Sequence, residues 1–183
     1  FGVRYVKEDK GIDIASAIRE LAGVINAECT ELGIQRPRIM LEPGRSIVAD
    51  AGITLYTVGS VKTIPGFRTY VSVDGGMPDN PRYALYQSRY EAVIANRAAE
   101  PKTIHCTIAG RCCESGDLIG ENMPLQETSR GDILAVFVTG AYNYSMASNY
   151  NRLTRPPIIM VKDGKSYTAV RRESFEDLTR NDL

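Results

Sequence analysis

The stretch Arg38-Ile39-Met40-Leu41-Glu42-Pro43-Gly44-Arg45-Ser46 decides how the chain is read. Ile39, Met40 and Leu41 in a row read as a strand buried on both faces, as in parallel sheets. Glu42 falls where that strand would end. Pro43 and Gly44 force a turn, and Ser46 is placed to cap a short helix over Ile47-Val48-Ala49. A strand end, a glycine turn and a helix start leave backbone N–H groups pointing outward, which suits an anion. Two readings stay open at this point: an anion-binding turn, or a structural ion pair between Glu42 and Arg45.

Upstream, Ile14, Ile18, Leu21, Val24, Ile25 and Leu32 recur at helical spacing, and Gly33 is a stop, so residues 13–33 are expected to be helical. Helix, strand, helix is the order of an α/β fold. One strand with two helices cannot cover both of its faces, so further strands are expected upstream or in another chain. The opening Phe1-Gly2-Val3-Arg4 has no initiator methionine and reads as cut from something longer. After Gly52 the texture changes. Residues 53–62 and 69–74 alternate with period two, and β-like runs follow at 103–108, 133–138, 157–161 and 166–171. Pro65-Gly66, Gly75-Gly76, Gly131-Asp132 and Asp163-Gly164 separate them as turns. The expectation is α/β plus all-β: residues 1–52 as one unit, and residues 53–183 as an antiparallel β-sandwich or barrel.

The chain has 183 residues, 43% hydrophobic and 24% charged, enough for a real core. Its 22 basic and 22 acidic residues balance, which favours neither a nucleic-acid nor a membrane partner. No apolar run approaches a bilayer-spanning length and no signal peptide is visible. Cys29, Cys106, Cys112 and Cys113 make no disulfide framework by spacing, and adjacent cysteines bond only under strain, so a reducing, cytoplasmic setting is expected. His105 with these cysteines lacks the spacing of a metal site, and no metal is expected.

The unusual residues gather in loops of the β-region. Residues 74–90 carry Asp79, Arg82, Tyr83, Tyr86, Arg89 and Tyr90 among glycines and prolines. Cys112-Cys113-Glu114-Ser115-Gly116-Asp117 sets thiols and acids around a glycine turn, and Gly140-Ala141-Tyr142 follows an apolar strand. Any one of these tyrosines could simply plug a loop. Three such clusters beside strand ends point to binding, because binding groups concentrate on loops held by a scaffold.

With these clusters in order, the chain resembles the meso-diaminopimelate decarboxylases, a branch of the alanine-racemase-like, pyridoxal-phosphate-dependent decarboxylase family. The resemblance rests on Glu42-Pro43-Gly44-Arg45, Asp74-Gly75-Gly76-Met77, Arg82-Tyr83-Ala84-Leu85-Tyr86, Cys113-Glu114-Ser115-Gly116-Asp117, Gly131-Asp132, Gly140-Ala141-Tyr142 and Ser148-Asn149-Tyr150-Asn151. Glu-Pro-Gly-Arg is shared with related ornithine and arginine decarboxylases, whereas Cys-Glu-Ser-Gly-Asp discriminates better. Tyr83 departs from the proline usual there. The resemblance implies that residues 1–52 hold the last strand and helices of a (β/α)8 barrel, with a C-terminal β-domain after them. It implies pyridoxal 5'-phosphate as cofactor, with Glu42 bonded to the pyridine nitrogen, Gly44 and Arg45 at the phosphate-side turn, and Tyr142 near the phosphate or ring. It implies that Arg45, Arg82, Tyr86 and Tyr142 contact an amino-acid substrate, whose distal carboxylate would face the arginines. Cys113 as proton donor and Glu114 at the distal ammonium would be given across a homodimer interface.

The implied activity is conversion of meso-2,6-diaminopimelate to L-lysine and CO2. The family's Schiff-base lysine lies upstream of these motifs, so the chain by itself is expected to be inactive. Two alternatives stand beside this: a decarboxylase of the same superfamily acting on ornithine, arginine or carboxynorspermidine, and a non-catalytic dimerising β-domain.

Overall fold

The computed structural model describes all 183 residues. It opens with α1 (Ile14–Glu31), started by Asp13, whose carboxylate accepts from the backbone N–H groups of Ala15 and Ser16. Only Cys29 of α1 is buried. Its expected apolar face is present but bare, with Ile18 at 41% and Val24 at 55% exposure.

The expected strand at Ile39-Met40-Leu41 does not form. The segment is extended without a pairing partner, and Met40 is 78% exposed. A strand needs a neighbour to take its N–H and C=O groups, and the chain folds none beside it; the barrel is thus not part of this fold. The helix that follows, α2, is Arg45–Val48, capped by Gly44 and not by Ser46, because the turn already ends one residue earlier.

The rest is organised by one curled, half-barrel sheet. Its strands are β1 (Ile53–Ile64), β2 (Arg68–Val73), β3 (Ala92–Ile94), β4 (Ile104–Ala109), β5 (Leu118–Leu125) and β6 (Ile133–Phe137), in the order β3-β6-β1-β2-β4-β5. The long β1 serves both halves, pairing β6 through residues 53–57 and β2 from Val58 onward, with a register irregularity between Val58 and Val61. The expected all-antiparallel arrangement is corrected at one place: β2 and β4 run parallel. The connection between them is long, holding α3 (Arg82–Tyr86) and β3, and so can cross over and return in the same direction. A separate hairpin follows, β7 (Ile158–Lys162) with β8 (Lys165–Val170), and then α4 (Phe175–Thr179), opened by a Ser174–Asp177 capping box. Alternation signals β1 and β2, and β-like runs signal β4, β6, β7 and β8. Both are absent from β3, only three residues long, and from β5, which contains Gly120, Pro124 and Asn122 at φ +51°.

Fourteen buried residues form the core, among them Tyr56, Val58, Val71, Ile94, Ile108, Ile119, Leu125, Leu134 and Val136. Tyr5 of the N-terminal segment also packs there, and Val6 beside it is buried. One seam ties α2 to the sheet: Gly140 N–H donates to the Ala49 carbonyl (2.9 Å) and Thr139 N–H to that of Gly52 (3.0 Å). A Cβ on Gly140 would stand 1.8 Å from the Val48 carbonyl oxygen, so only glycine allows this approach. No helix is long and apolar enough to cross a membrane.

Candidate active site

Arg82 is the centre of the first cluster. It opens α3 just after Pro81 and is 8% exposed. Its guanidinium lies over three rings, 5.5 Å from the centroid of Tyr5 and 5.4 Å from those of Tyr86 and Tyr142. Gln87, left-handed at φ +53°, ends α3 and turns the chain so that Ser88 Oγ accepts from Arg82 at 3.3 Å. The Nε of Arg82 has no partner, and Arg82 belongs to none of the six ion pairs of the chain. Tyr90 backs the cage edge-on to Tyr5, with ring centroids 5.5 Å apart. The Tyr5 and Tyr90 hydroxyls and the Asn80 and Asn143 amides are also buried without partners. Burial pushes the Tyr90 hydroxyl pKa up, the Arg82 charge offsetting part of it. A buried cation is costly without compensation. Here three π-faces supply it, and no carboxylate does.

The second cluster is the loop after β4. Cys113 and Glu114 are exposed on it. Cys113 N–H donates to Asn151 Oδ1 (2.8 Å), and Asn151 is left-handed at φ +53°. Beneath them lies the Asp117 carboxylate, 3% exposed, accepting from Cys112 N–H (2.7 Å) and Met77 N–H (2.6 Å). Burial first, and Asp117 second, push the Cys112 thiol up to about 11. Burial raises Tyr150, with the neighbouring Glu114 charge adding to it. Close by, Asp79 accepts from Gly76 N–H (3.0 Å) and from the Tyr56 hydroxyl. Burial lifts its carboxyl to about 6, helped by the charges of Asp117 and Asp74 and opposed by those two hydrogen bonds.

The third cluster is the turn at residues 42–48. Glu42 is exposed, Arg45 half-buried, and the two form no ion pair, so the structural salt-bridge reading drops out. A Cβ on Gly44 would meet nothing within 4 Å, leaving the turn open to a ligand.

The structure therefore brings Arg82, Tyr86 and Tyr142 into one contact group, and keeps Cys113 and Glu114 on a loop of their own. Glu42, Gly44 and Arg45 lie on a third segment, joined to the Tyr142 loop through the Gly52–Gly140 seam. Sequence reasoning missed Tyr5, Ser88, Asn143 and the part played by Asp117. Tyr5 carries no local signal, since its partner Arg82 is remote in sequence. Asp117 was visible as the last letter of a motif, without a role. The groups present fit a phosphorylated pyridine in kind: Glu42 is an exposed carboxylate without a partner, of the sort that would accept from a protonated ring nitrogen. Gly44 leaves backbone accessible, and Tyr142, 44% exposed and left-handed at φ +67°, offers a ring and a hydroxyl.

Comparison with known proteins agrees. Residues 9–140 match the family model described as pyridoxal-dependent decarboxylase, C-terminal sheet domain. The chain is 49% identical to the diaminopimelate decarboxylase of Bacillus subtilis over 183 residues, covering all of this chain and 42% of that protein. It is 48% identical to that of Staphylococcus aureus, covering 43% of it. The crystal structure of diaminopimelate decarboxylase from M. jannaschii in complex with L-lysine superposes with a TM-score of 0.84 at 33% identity, over 100% of this chain and 41% of that one. The chain thus spans about two fifths of the relatives it matches. A sheet of this order, bearing these loops and matched by the family model over most of its length, belongs to the pyridoxal-dependent decarboxylase family, as its C-terminal sheet domain.

Proposed function

We propose that this chain is the C-terminal part of a meso-diaminopimelate decarboxylase, which forms L-lysine and CO2. The observation that carries the substrate assignment is Arg82: a buried cation, caged by tyrosines, with no acid of its own chain to neutralise it. A substrate with a distal carboxylate would complete it, because arginine's planar fork suits a carboxylate and a buried charge gains most from a partner. Ornithine, arginine and carboxynorspermidine bring no such distal group. Relatives bearing the diaminopimelate decarboxylase name match the chain over its full length, which supports the same reading.

Glu42 would hold the pyridine nitrogen of pyridoxal phosphate in its protonated form, and the Gly44 turn with Arg45 would face the phosphate side. The cofactor supplies an electron sink for the pair left when CO2 departs. The work of this chain is to bind and to deliver a proton. Arg82, Tyr86 and Arg45 would fix the distal carboxylate, with Tyr142 closing the cage over substrate and ring, and Glu114 would take the distal ammonium. Cys113 Sγ would give its proton to the carbon that CO2 has left. Cys113 and Glu114 stand exposed at the tip of their loop, which suits donation into the site of a second copy in a homodimer. Four free cysteines favour a reducing, cytoplasmic setting.

The test is turnover by the full-length enzyme containing this chain, with diaminopimelate, ornithine, arginine and carboxynorspermidine offered separately. Release of CO2 and L-lysine from diaminopimelate alone is the expected result. Turnover of ornithine or arginine without turnover of diaminopimelate would sink the assignment.

A further inference from the structure

We infer that Asp117 is a positioning residue for Cys113 and Glu114, a brace that holds their loop in its working shape; this rests on the roles proposed for those two residues. Its carboxylate reaches back over its own loop to bind Cys112 N–H at 2.7 Å, the amide immediately before Cys113. Its other oxygen binds Met77 N–H at 2.6 Å, on the Asp74–Met77 loop. One side chain thus pins the start of the Cys113–Glu114 turn and fastens it to a second loop. The backbone closes the same unit: Gly110 N–H donates to the Asp117 carbonyl (2.8 Å), Asp117 N–H to that of Glu114 (3.1 Å), and Arg111 N–H to that of Gly75 (3.1 Å).

The surrounding glycines fit the carboxylate and nothing larger. A Cβ on Gly110 would lie 2.2 Å from Asp117 Oδ1, and one on Gly76 would lie 2.3 Å from it. Both loops have given up side chains where Asp117 sits. Cys113 and Glu114 are outside this packing, exposed, and touch the rest of the chain chiefly through the Cys113–Asn151 bond. Without the brace, the direction of the thiol is left to the Cys113–Asn151 bond and the turn's own backbone bonds. Proton delivery depends on placing the donor within hydrogen-bond reach of the carbon, and a misplacement of about 1 Å costs on the order of 100-fold in rate.

The experiment is a double-mutant cycle in the full-length holoenzyme: Asp117→Asn, Cys113→Ala and both together, with diaminopimelate as substrate. Asparagine keeps one acceptor and turns an N–H donor toward the other amide, so one of the two bonds is lost. Asp117→Asn is expected to lower kcat by about 10–100-fold while cofactor loading is retained. In the Cys113→Ala background it should lower kcat by no more than about 3-fold, because at saturating substrate its effect on kcat runs through that thiol, whereas its effect through Glu114 falls on KM. Equal losses in both backgrounds would overturn the brace, since a general loss of folded enzyme acts the same in each. Hydrogen exchange of the unsubstituted enzyme decides the matter even if the variants fail to fold. The Cys112 and Met77 amides should exchange at least about 10-fold more slowly than that of Ser115, and exchange at the Ser115 rate overturns the proposal. Failure of the unsubstituted enzyme to turn over diaminopimelate would count against the function alone, since the exchange rates still decide the brace.

Discussion

Residues 1–52 leave nearly all of their large apolar side chains exposed, whereas the six-stranded sheet within residues 53–183 buries a core of them. In the second region Ile94, Ile108, Ile119, Leu125 and Leu134 are all at 0% exposure. In the first, Leu21, Leu32, Ile39, Leu41 and Ile47 are between 38% and 66% exposed. The difference is not propensity, since α1 is well capped and has a clear apolar face. It is partnership: the sheet curls over its own apolar face, whereas α1 and the Arg38–Leu41 segment have nothing of this chain to lie against. Amphipathic pattern specifies a face to be buried, and only a neighbour buries it.

The sharpest way to break this comparison is to cut the same kind of side chain in each region. Leu134→Ala is expected to destabilise the isolated chain by about 2–5 kcal/mol, as large-to-small changes in a packed core do. Val24→Ala on α1 should change stability by less than about 0.5 kcal/mol. Urea unfolding of both variants reads this, and equal effects would mean that the two regions are not different in kind.

A second test asks whether the site joins the regions. Glu42 belongs to the first, Arg82 and Tyr142 to the second. Glu42→Gln in the full-length enzyme should lower the decarboxylation rate by about 100-fold, the scale of losing one preorganised electrostatic contact, with modest loss of cofactor binding. Single-turnover rates and cofactor titration together read it, and an unchanged rate removes Glu42 from the reaction.

A smaller effect separates two acids of the second region. Asp79 titrates near 6 against an ordinary 3.8, so the folded state holds this proton more tightly than the unfolded state does. Its burial penalty is therefore full above about pH 6 and is relieved as pH falls toward 4. Glu173 has the opposite sign: chiefly through its hydrogen bond to Arg155 its carboxyl is held down to about 2, so its stabilisation is present above pH 4.5 and is lost as pH falls toward 2. Between pH 7.5 and pH 5, in thermal melts of the isolated chain, the protein is expected to gain stability relative to Asp79→Asn. A difference that stays flat over that range would refute the assignment.

The last expected change is at the capped end of the first region. Asp13→Ala removes the bonds to Ala15 and Ser16 and should reduce α1 helicity by an amount worth about 1 kcal/mol, seen by circular dichroism. Persistence of full helicity would show that α1 is held by packing that the exposed face does not reveal.

Much of this molecule is legible in the sequence because much of it is set by local periodicity. Helical spacing gave α1 to within about two residues, alternation gave β1 and β2, β-like runs gave β4, β6, β7 and β8, and Gly and Pro punctuation gave the turns. The candidate site residues were legible as loop clusters with motif order. Their grouping was not. That Arg82 stacks on Tyr5, that Gly140 touches Val48, and that Cys113 hangs on Asn151 are contacts between residues distant in the chain. No periodicity encodes such pairs.

The amino-acid order by itself determined the period of each element, the places where the backbone must turn, and the identity of the groups available for chemistry, because these depend on side chains a few residues apart. Tertiary structure alone decided three things. Residues 38–41 stay unpaired for want of a neighbouring strand. The β2–β4 pair is parallel because its connection is long enough to cross over. Arg82 is a caged, unneutralised cation and Asp117 a buried brace because folding removes both from water and fixes what they meet there.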